Sequence, residues 1–515
     1  MGERMQSEVR VSSHEPIDRI SENIYGHFAE HLGRCIYGGL WVGDDDRVET
    51  EDGIRMDTVS LLRGLNMPVL RWPGGCFADD YHWEDGVGPR DERPRRRNLW
   101  WTQGRENIPE ESNEFGTDEF LHLCQLLDTD PYIAVNVGSS TPQEALDWIE
   151  YCNYGGDTEL ANRRRENGQE EPYGVKYWGI GNENWGCGGR FAPDEYADEY
   201  RRFANYFNGF DKLMNEESTE FIACGHLTDD WNKVFFDSLN GGMEYGPGSF
   251  LGMGSPFNLM DHFSVHRYYQ AGGDTDFTDE QYYKIFARAQ KVGGDIDRAA
   301  ETISQYVPED EIGIIVDEWG VWHPEARSDN GLEQENTVRD ALTTAGVLDL
   351  IHERADVVSM ANIAQLVNVL QCLVQTDEED AWRTPTYRVF DLYENHVGRT
   401  ALETSVDTEQ RTIEGEENDV PMVSASASEG DGELFVTASN RRHDEPETLT
   451  VDVGSSAYSV SSATVLFEGN DIREYSTKEN ADSFEADVLD VTDEGDGTVT
   501  FDAPPASVVG LTLTE

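Results

Sequence analysis

The sequence has no run of roughly 18 to 20 apolar residues, the length a membrane-spanning helix requires. Its opening, Met1-Gly2-Glu3-Arg4-Met5-Gln6-Ser7-Glu8, carries no apolar signal core. The expectation is a soluble, cytoplasmic protein with no membrane partner. Cys-x-x-Cys pairs are also absent: Cys35, Cys76, Cys124, Cys152, Cys187, Cys224 and Cys372 lie scattered. That scatter argues against a zinc cluster and against a disulfide framework, so buried thiols are expected. No internal repeat or low-complexity linker stands out. No glycine-rich phosphate loop follows the first candidate strand, which removes the main support for an open, dinucleotide-binding sheet.

Basic charge is scarce as well. Lysine and arginine total 39 against 102 acidic residues, a formal net charge of −63. Such a polyanion excludes nucleic acid as a partner. The acids are spread along the chain, as Asp44-Asp45-Asp46, Asp229-Asp230 and Glu378-Glu379-Asp380 show, and lysine is nearly absent beside arginine. Self-repulsion of this size works against a compact state at ordinary ionic strength, but the Debye length shrinks to about 3 Å at 1 M salt. The pattern resembles proteins of halophilic archaea with a salt-rich cytoplasm. Disorder is the other reading of high net charge, and the abundance of Trp, Tyr, Phe and Ile opposes it.

From about residue 24 to 395, short apolar runs alternate with amphipathic helical stretches, the signature of a parallel sheet. The candidate strands are Ile24–Glu30, Pro68–Gly74, Tyr132–Val137, Val175–Glu183, Phe221–Gly225, His262–Tyr268, Gly313–Glu318 and Val357–Gln365. Eight of them predict an α/β fold of the closed (β/α)8 TIM-barrel type. Beyond residue 395 the helical period vanishes, and runs such as Met422–Ala427, Glu433–Ala438 and Ser507–Leu513 predict a C-terminal antiparallel β-sandwich. Ser7–Ser12 is expected to add a strand to it. The expected organisation is 1–22 contributing to the sandwich, 23–395 as the catalytic barrel and 396–515 as the sandwich.

In such a barrel, chemistry sits where side chains leave the C-terminal ends of the strands. Those ends carry Glu30, Arg71, Asn136, Asn182 with Glu183, His266 with Tyr268, Asp317 with Glu318, and Asn362 with Gln365. Two glutamates stand out, each following an apolar strand and preceding a Gly- or Trp-rich loop: Gly181-Asn182-Glu183-Asn184-Trp185 and Val316-Asp317-Glu318-Trp319-Gly320. They end strands four and seven, which face one another across a barrel. Glycoside cleavage needs such a pair, one carboxylic acid to protonate the departing oxygen and one carboxylate to attack the anomeric carbon. Asn182 is placed to hydrogen-bond a sugar 2-OH. His266 reads as a hydrogen-bonded pocket wall, since no metal partners accompany it. His27-Phe28-Ala29-Glu30-His31 has a zinc-peptidase spacing, but that motif works on a helix; in a strand the two histidines stand about 13 Å apart at roughly 3.3 Å per residue. No metal site is expected. Arg93, Arg95, Arg96 and Arg97 form the one basic cluster and are expected to pair with the acidic surface or a neighbouring subunit, with contact to an acidic sugar as the alternative.

Several segments together resemble the α-L-arabinofuranosidases of glycoside hydrolase family fifty-one: Gly26-His27-Phe28-Ala29-Glu30-His31-Leu32-Gly33, Arg71-Trp72-Pro73-Gly74-Gly75-Cys76-Phe77, Tyr81-His82-Trp83-Glu84-Asp85-Gly86, Asn113-Glu114-Phe115-Gly116, the two glutamate segments and Ala364-Gln365-Leu366-Val367-Asn368. The resemblance implies Glu183 as acid/base, Glu318 as nucleophile, and Glu30, Arg71, Asn182 and Gln365 around the arabinose ring. It implies that Tyr268 positions the nucleophile and that Trp101 and Trp322 wall the pocket. Cys76 stands where some relatives carry asparagine, so it is either a sugar contact or a structural thiol. No cofactor is implied. The expected partner is an arabinofuranoside-containing oligo- or polysaccharide, and relatives assemble into hexamers or other homo-oligomers. The alternatives are a β-xylosidase or β-glycanase of the same barrel clan and a non-catalytic sugar-binding protein. The stretch Gly241–Asn258, near the site mouth, looks expanded.

Overall fold

A computed structural model of the chain describes residues 6–101, 110–214, 219–241, 256–308 and 312–515. Most of the expanded stretch, residues 242–255, lies outside the described residues. Eight parallel strands close into a barrel: Gly26–Phe28, Val69–Trp72, Asp130–Val135, Tyr177–Ile180, Glu220–Cys224, His262–Tyr269, Gly313–Val321 and Val358–Ala364. Each is hydrogen-bonded to the next in chain order, and the eighth pairs with the first through Asn362 opposite Gly26. The expected α/β barrel is therefore present, with its strands shorter at most ends than the apolar runs.

Burial on both faces explains why these strands read as continuous apolar runs. Val69, Tyr132, Tyr177, Ile222, Ile315 and Met360, contributed by six different strands, form a separate buried cluster that fills the barrel interior. The barrel is thus a packed core, and ligands are confined to its mouth. Around it, each helix turns its apolar stripe inward. In the helix Pro142–Asn153, the Thr141 side chain accepts from the Glu144 backbone N–H at 3.2 Å, and Pro142 occupies the first turn where its missing N–H costs nothing. Ala145, Trp148, Ile149 and Cys152 recur at helical spacing and are buried. Trp148 meets Trp72 and Trp178 edge to face at 6.0 and 6.1 Å. Truncating it to alanine would cost about 3–5 kcal/mol.

After residue 399 the chain forms a ten-stranded sheet whose own apolar core includes Val423, Val436, Val451, Val465, Phe501 and Leu511. The N-terminal strand, Gln6–Arg19, is longer than Ser7–Ser12 and lies inside this sheet. It pairs antiparallel with Thr400–Asp407 and parallel with Glu447–Asp452, so one neighbouring pair departs from the expected antiparallel pattern. Strands from both ends of the sheet, such as Ser459–Leu466 and Thr498–Ala503, contribute to the one core, so the sheet curls on itself. It is joined to the barrel by a buried polar seam. His352 of the helix Val338–His352 contacts Ser426 Oγ at 2.8 Å, and His396 contacts Ser428 Oγ at 2.8 Å and Thr437 Oγ1 at 3.0 Å.

Candidate active site

Strand four ends at Ile180, and the backbone then turns through Gly181 at φ 90° and Glu183 at φ 40°. Gly181 is required there: a Cβ would meet the Asn184 side chain at 2.1 Å. The turn holds because buried Asp79 accepts hydrogen bonds from the backbone N–H groups of Val137, Gly138 and Asn182 at 2.9, 3.0 and 3.1 Å. Burial pushes the Asp79 carboxyl up to about 7, against those donors. The result delivers Asn182 and Glu183 to the barrel mouth.

Strand seven reaches the same place by a different device. Its register against strand six shifts between Val265 and His266, so that Val265 lies opposite Val316 but His266 lies opposite Glu318. In a regular strand Asp317 and Glu318 would point to opposite faces; the bulge lets both serve the interior. Asp317 accepts from Tyr132 Oη and Asn362 Nδ2, both at 2.7 Å. Glu318 accepts from Arg71 Nη1 at 2.9 Å through Oε1 and from Tyr268 Oη at 2.8 Å through Oε2.

Arg71 is the hub. Fully buried, it donates to Glu318, to the Asp317 carbonyl at 3.1 Å and to Asn182 Oδ1, and its guanidinium lies 4.6 Å above the Phe28 ring. Glu30 accepts from the backbone N–H groups of Gly75 and Phe77, both at 3.0 Å, from Trp101 Nε1 at 2.9 Å and from Gln365 Nε2 at 3.1 Å. Burial, aided by the nearby charge of Glu318, raises its carboxyl to about 7. Gln365 Oε1 is buried without a hydrogen-bond partner among the described residues, an acceptor left for a ligand hydroxyl. The Trp322 ring stands edge to face with Tyr268 at 5.2 Å.

His266 joins the two glutamates. Burial alone would lower its pKa, but the Glu318 charge and the hydrogen bond to Glu183 outweigh that and leave it raised. One carboxylate oxygen each of Glu183 and Glu318 and a nitrogen of His266 all lie within 4.8 Å of one another. Such close approach of the two carboxylates suits the roughly 5 to 5.5 Å spacing of double-displacement glycosidases better than the roughly 6.5 to 9.5 Å that an inverting enzyme leaves for water.

Glu30, Arg71, Asn182, Glu183, His266, Tyr268, Glu318 and Gln365, read from the strand ends, therefore converge, together with Trp101 and Trp322, which only the family resemblance implied. Cys76 requires a correction. It is not a free thiol, because it is disulfide-bonded to Cys187, 111 residues away, while the other five cysteines are free and buried. Barrel closure brings the loops after strands two and four together, and no spacing in the chain signals that. Asp79 and Gly75 were also missed. A Cβ on Gly75 would lie 2.9 Å from Glu318 Oε1, so this backbone forms the floor beneath the carboxylate. The zinc-peptidase spacing dissolves: His31 leaves the strand, contacts Glu111 Oε2 through Nδ1 at 2.9 Å and receives the Trp72 indole N–H through Nε2 at 3.0 Å. In the basic cluster Arg93 pairs with Glu119, Arg95 with Glu110 and Arg96 with Asp85.

A family model described as "Alpha-L-arabinofuranosidase 1 domain" matches residues 61–283, and one described as "Alpha-L-arabinofuranosidase C-terminal domain" matches residues 317–507. An "Intracellular exo-alpha-L-arabinofuranosidase" of Bacteroides ovatus is 36% identical, over 98% of this chain and 95% of its own. Among solved structures, the GH51 arabinofuranosidase of Xanthomonas axonopodis pv. citri superposes with a TM-score of 0.90 at 32% identity, covering 99% of this chain and 100% of that one. An α-L-arabinofuranosidase of Thermotoga maritima, solved as an arabinose complex, gives 0.82 at 32% identity with the same coverage. With this fold, this ring of carboxylates and this extent of similarity, the chain belongs to the α-L-arabinofuranosidases of glycoside hydrolase family fifty-one.

Proposed function

We propose that this chain is a retaining, exo-acting α-L-arabinofuranosidase that releases terminal arabinofuranosyl groups from arabinoxylan, arabinan or oligosaccharides derived from them. The observation that carries the reading is the pair of glutamates with carboxylate oxygens within 4.8 Å at the barrel mouth. Glu318, which accepts hydrogen bonds from Arg71 and Tyr268, attacks the anomeric carbon. Burial and the Glu318 charge raise the Tyr268 phenol, which keeps it a donor. As the glycosidic bond breaks, Glu183 gives its proton to the departing oxygen, leaving a glycosyl ester on Glu318. Glu183, now a carboxylate, takes a proton from water as that water displaces Glu318. Around the sugar, Glu30, Asn182 and Gln365 supply hydrogen bonds, with Trp101 and Trp322 as walls. Arg71 orients both Glu318 and Asn182.

The division that accompanies this reading places residues 23–395 in the catalytic barrel and 1–22 with 396–515 in the sheet unit. A halophilic archaeal source is supported by the net charge of −63, a cytoplasmic location by the relative named intracellular, and a homo-oligomer, hexamers included, by the family resemblance. Among the described residues no helix is long and apolar enough to cross a membrane.

The test is a panel of nitrophenyl arabinofuranoside, xyloside and glucoside, with Glu318→Ala assayed in azide. Turnover of the arabinofuranoside and azide rescue to the inverted glycosyl azide are expected. Preference for the xyloside would move the chain to a β-xylosidase, and wild-type turnover by Glu318→Ala would remove the nucleophile.

A further inference from the structure

The disulfide Cys76–Cys187 lies against the proposed acid/base. Cys187 Sγ is 3.9 Å from Glu183 Oε2, and Asn182 Nδ2 is 3.8 Å from the same sulfur. Ligand atoms of Cys76, Glu183 and Cys187 all lie within 4.8 Å of one another, and all three residues are half-buried, within reach of solution. Both cysteines are also held independently of their bond. Cys76 opens the short helix Cys76–Asp80, which Asp79 ties to Val137, Gly138 and Asn182. Cys187 lies in a tight loop whose Gly186 and Gly188 N–H groups reach the Glu183 carbonyl at 2.6 and 3.4 Å. Breaking the S–S bond therefore leaves two sulfurs and a carboxylate facing one another.

We propose that reduction of Cys76–Cys187 converts the lip of the active site into a binding site for a thiophilic d10 divalent cation of the Zn2+ class, held by both thiolates and the Glu183 carboxylate, and that its occupation shuts off hydrolysis. A dithiol reductant supplies two electrons and two protons to the disulfide and closes to its own disulfide; the two new thiols release two protons as the cation binds. The geometry is suitable. Zinc bonds of about 2.3 Å to sulfur and about 2.0 to 2.2 Å to oxygen put tetrahedral thiolates roughly 3.8 Å apart. Side-chain rotation reaches that from a Cα–Cα distance of 5.4 Å. Water completes the fourth position. Soft thiolates select such a cation over Mg2+ or Ca2+, and a disulfide sulfur offers no thiolate, so the oxidised form does not compete. His266, 3.0 Å from the other Glu183 oxygen, orients the carboxylate as an outer partner. A reducing cytoplasm would hold the site open for metal.

The cation site stands on geometry alone; its effect on turnover rests on the acid/base reading of Glu183. The full chain, oxidised or reduced and freed of reductant under argon, is titrated with Co2+ and with Zn2+ against a chromophoric chelator. The reduced form is expected to take up one more cation per chain than the oxidised form and to show a thiolate-to-cobalt charge-transfer band. Zn2+ should lower turnover of the reduced enzyme on the order of a hundredfold, the contribution of a positioned proton donor, and chelator should restore it. The double variant Cys76→Ser, Cys187→Ser should lack the band in either state. Equal uptake by oxidised and reduced protein, or the same band in the double variant, would overturn the site while leaving the glutamate assignments intact. Uptake with unchanged turnover would overturn the inhibition and, with it, Glu183 as acid/base. If the double variant fails to fold, the comparison of oxidised with reduced wild type decides.

Discussion

His266 Nδ1 stands 3.0 Å from Glu183 Oε1, tying strand six to the carboxyl that follows strand four. It also lies 3.6 Å from Glu318 Oε1, so one buried imidazole faces both glutamates. A raised pKa makes it a cation over more of the pH range than an exposed histidine, and a cation there lowers the cost of holding two carboxylates together.

His266→Asn keeps a donor of similar reach and removes the titrating charge. Turnover is expected to fall on the order of a hundredfold, the lower end of the range for proton-transfer partners. The acid limb of the kcat/KM profile should also move to higher pH, because two facing carboxylates with one neighbouring cation fewer, Arg71 alone remaining, bind protons more readily. A loss of rate with an unmoved profile would make His266 a packing residue only.

Arg71 is the second lever. Replacing it with alanine strands Glu318 and Asp317 as buried acids and leaves Asn182 Oδ1 without its donor. Loss of one partner from a buried ion pair typically costs about 3 to 5 kcal/mol, so Arg71→Ala should unfold at markedly lower temperature and be inactive. Arg71→Lys should recover part of the stability while leaving kcat low, since a single ammonium cannot span Glu318 and Asn182 as the guanidinium fork does. Equal recovery of both quantities would show that charge, not geometry, is what matters there.

The seam between barrel and sheet carries its own pH dependence. Burial lowers His352 to about 3, and His396 lies well below its usual range for the same reason. Below about pH 6.5 the unfolded chain therefore binds protons that the folded chain refuses, so stability falls as pH falls from there toward the folded value. Each such histidine contributes a slope of about 1.4 kcal/mol per pH unit. His352→Gln should be less stable at pH 7, through lost contacts to Tyr25 and Ser426, yet shallower by about that slope between pH 6 and 4 in urea titrations. An unchanged slope would mean His352 titrates normally.

How much of this was legible beforehand depends on whether a feature is local. The eight barrel strands could be found because doubly buried strands write themselves as apolar runs, and Glu183 and Glu318 because each ends one. Boundaries were less accurate. The first strand, expected at Ile24–Glu30, is only Gly26–Phe28, because Ser21 caps a 3-10 turn over Glu22–Tyr25 and Glu30 lies past the strand end. Nothing in Val316-Asp317-Glu318 announces the bulge that turns both acids inward. Asp79 and the Cys76–Cys187 bond were invisible for a stronger reason: their partners are about 60 to more than 100 residues away, and only barrel closure makes them neighbours.

The net charge of −63 makes the last prediction. Salt acts on this chain in two opposing ways. It weakens exposed ion pairs such as Arg95 with Glu110 and Arg96 with Asp85, each worth no more than about 1 kcal/mol. It also screens the repulsion among acids that outnumber bases by 63, counted as 102 minus 39, and the Debye length falls from about 10 Å at 0.1 M to about 3 Å at 1 M. The second effect acts over the whole surface and should win. The unfolding midpoint is expected to climb steadily from 0.1 to 2 M KCl, by roughly 1 to 2 °C for every 1 kcal/mol of repulsion relieved in a chain this long. Sucrose at matched osmolality is the control: it strengthens burial without screening. An equal gain in sucrose would assign the effect to burial, and a midpoint that falls in KCl would show that the ion pairs outweigh the excess charge.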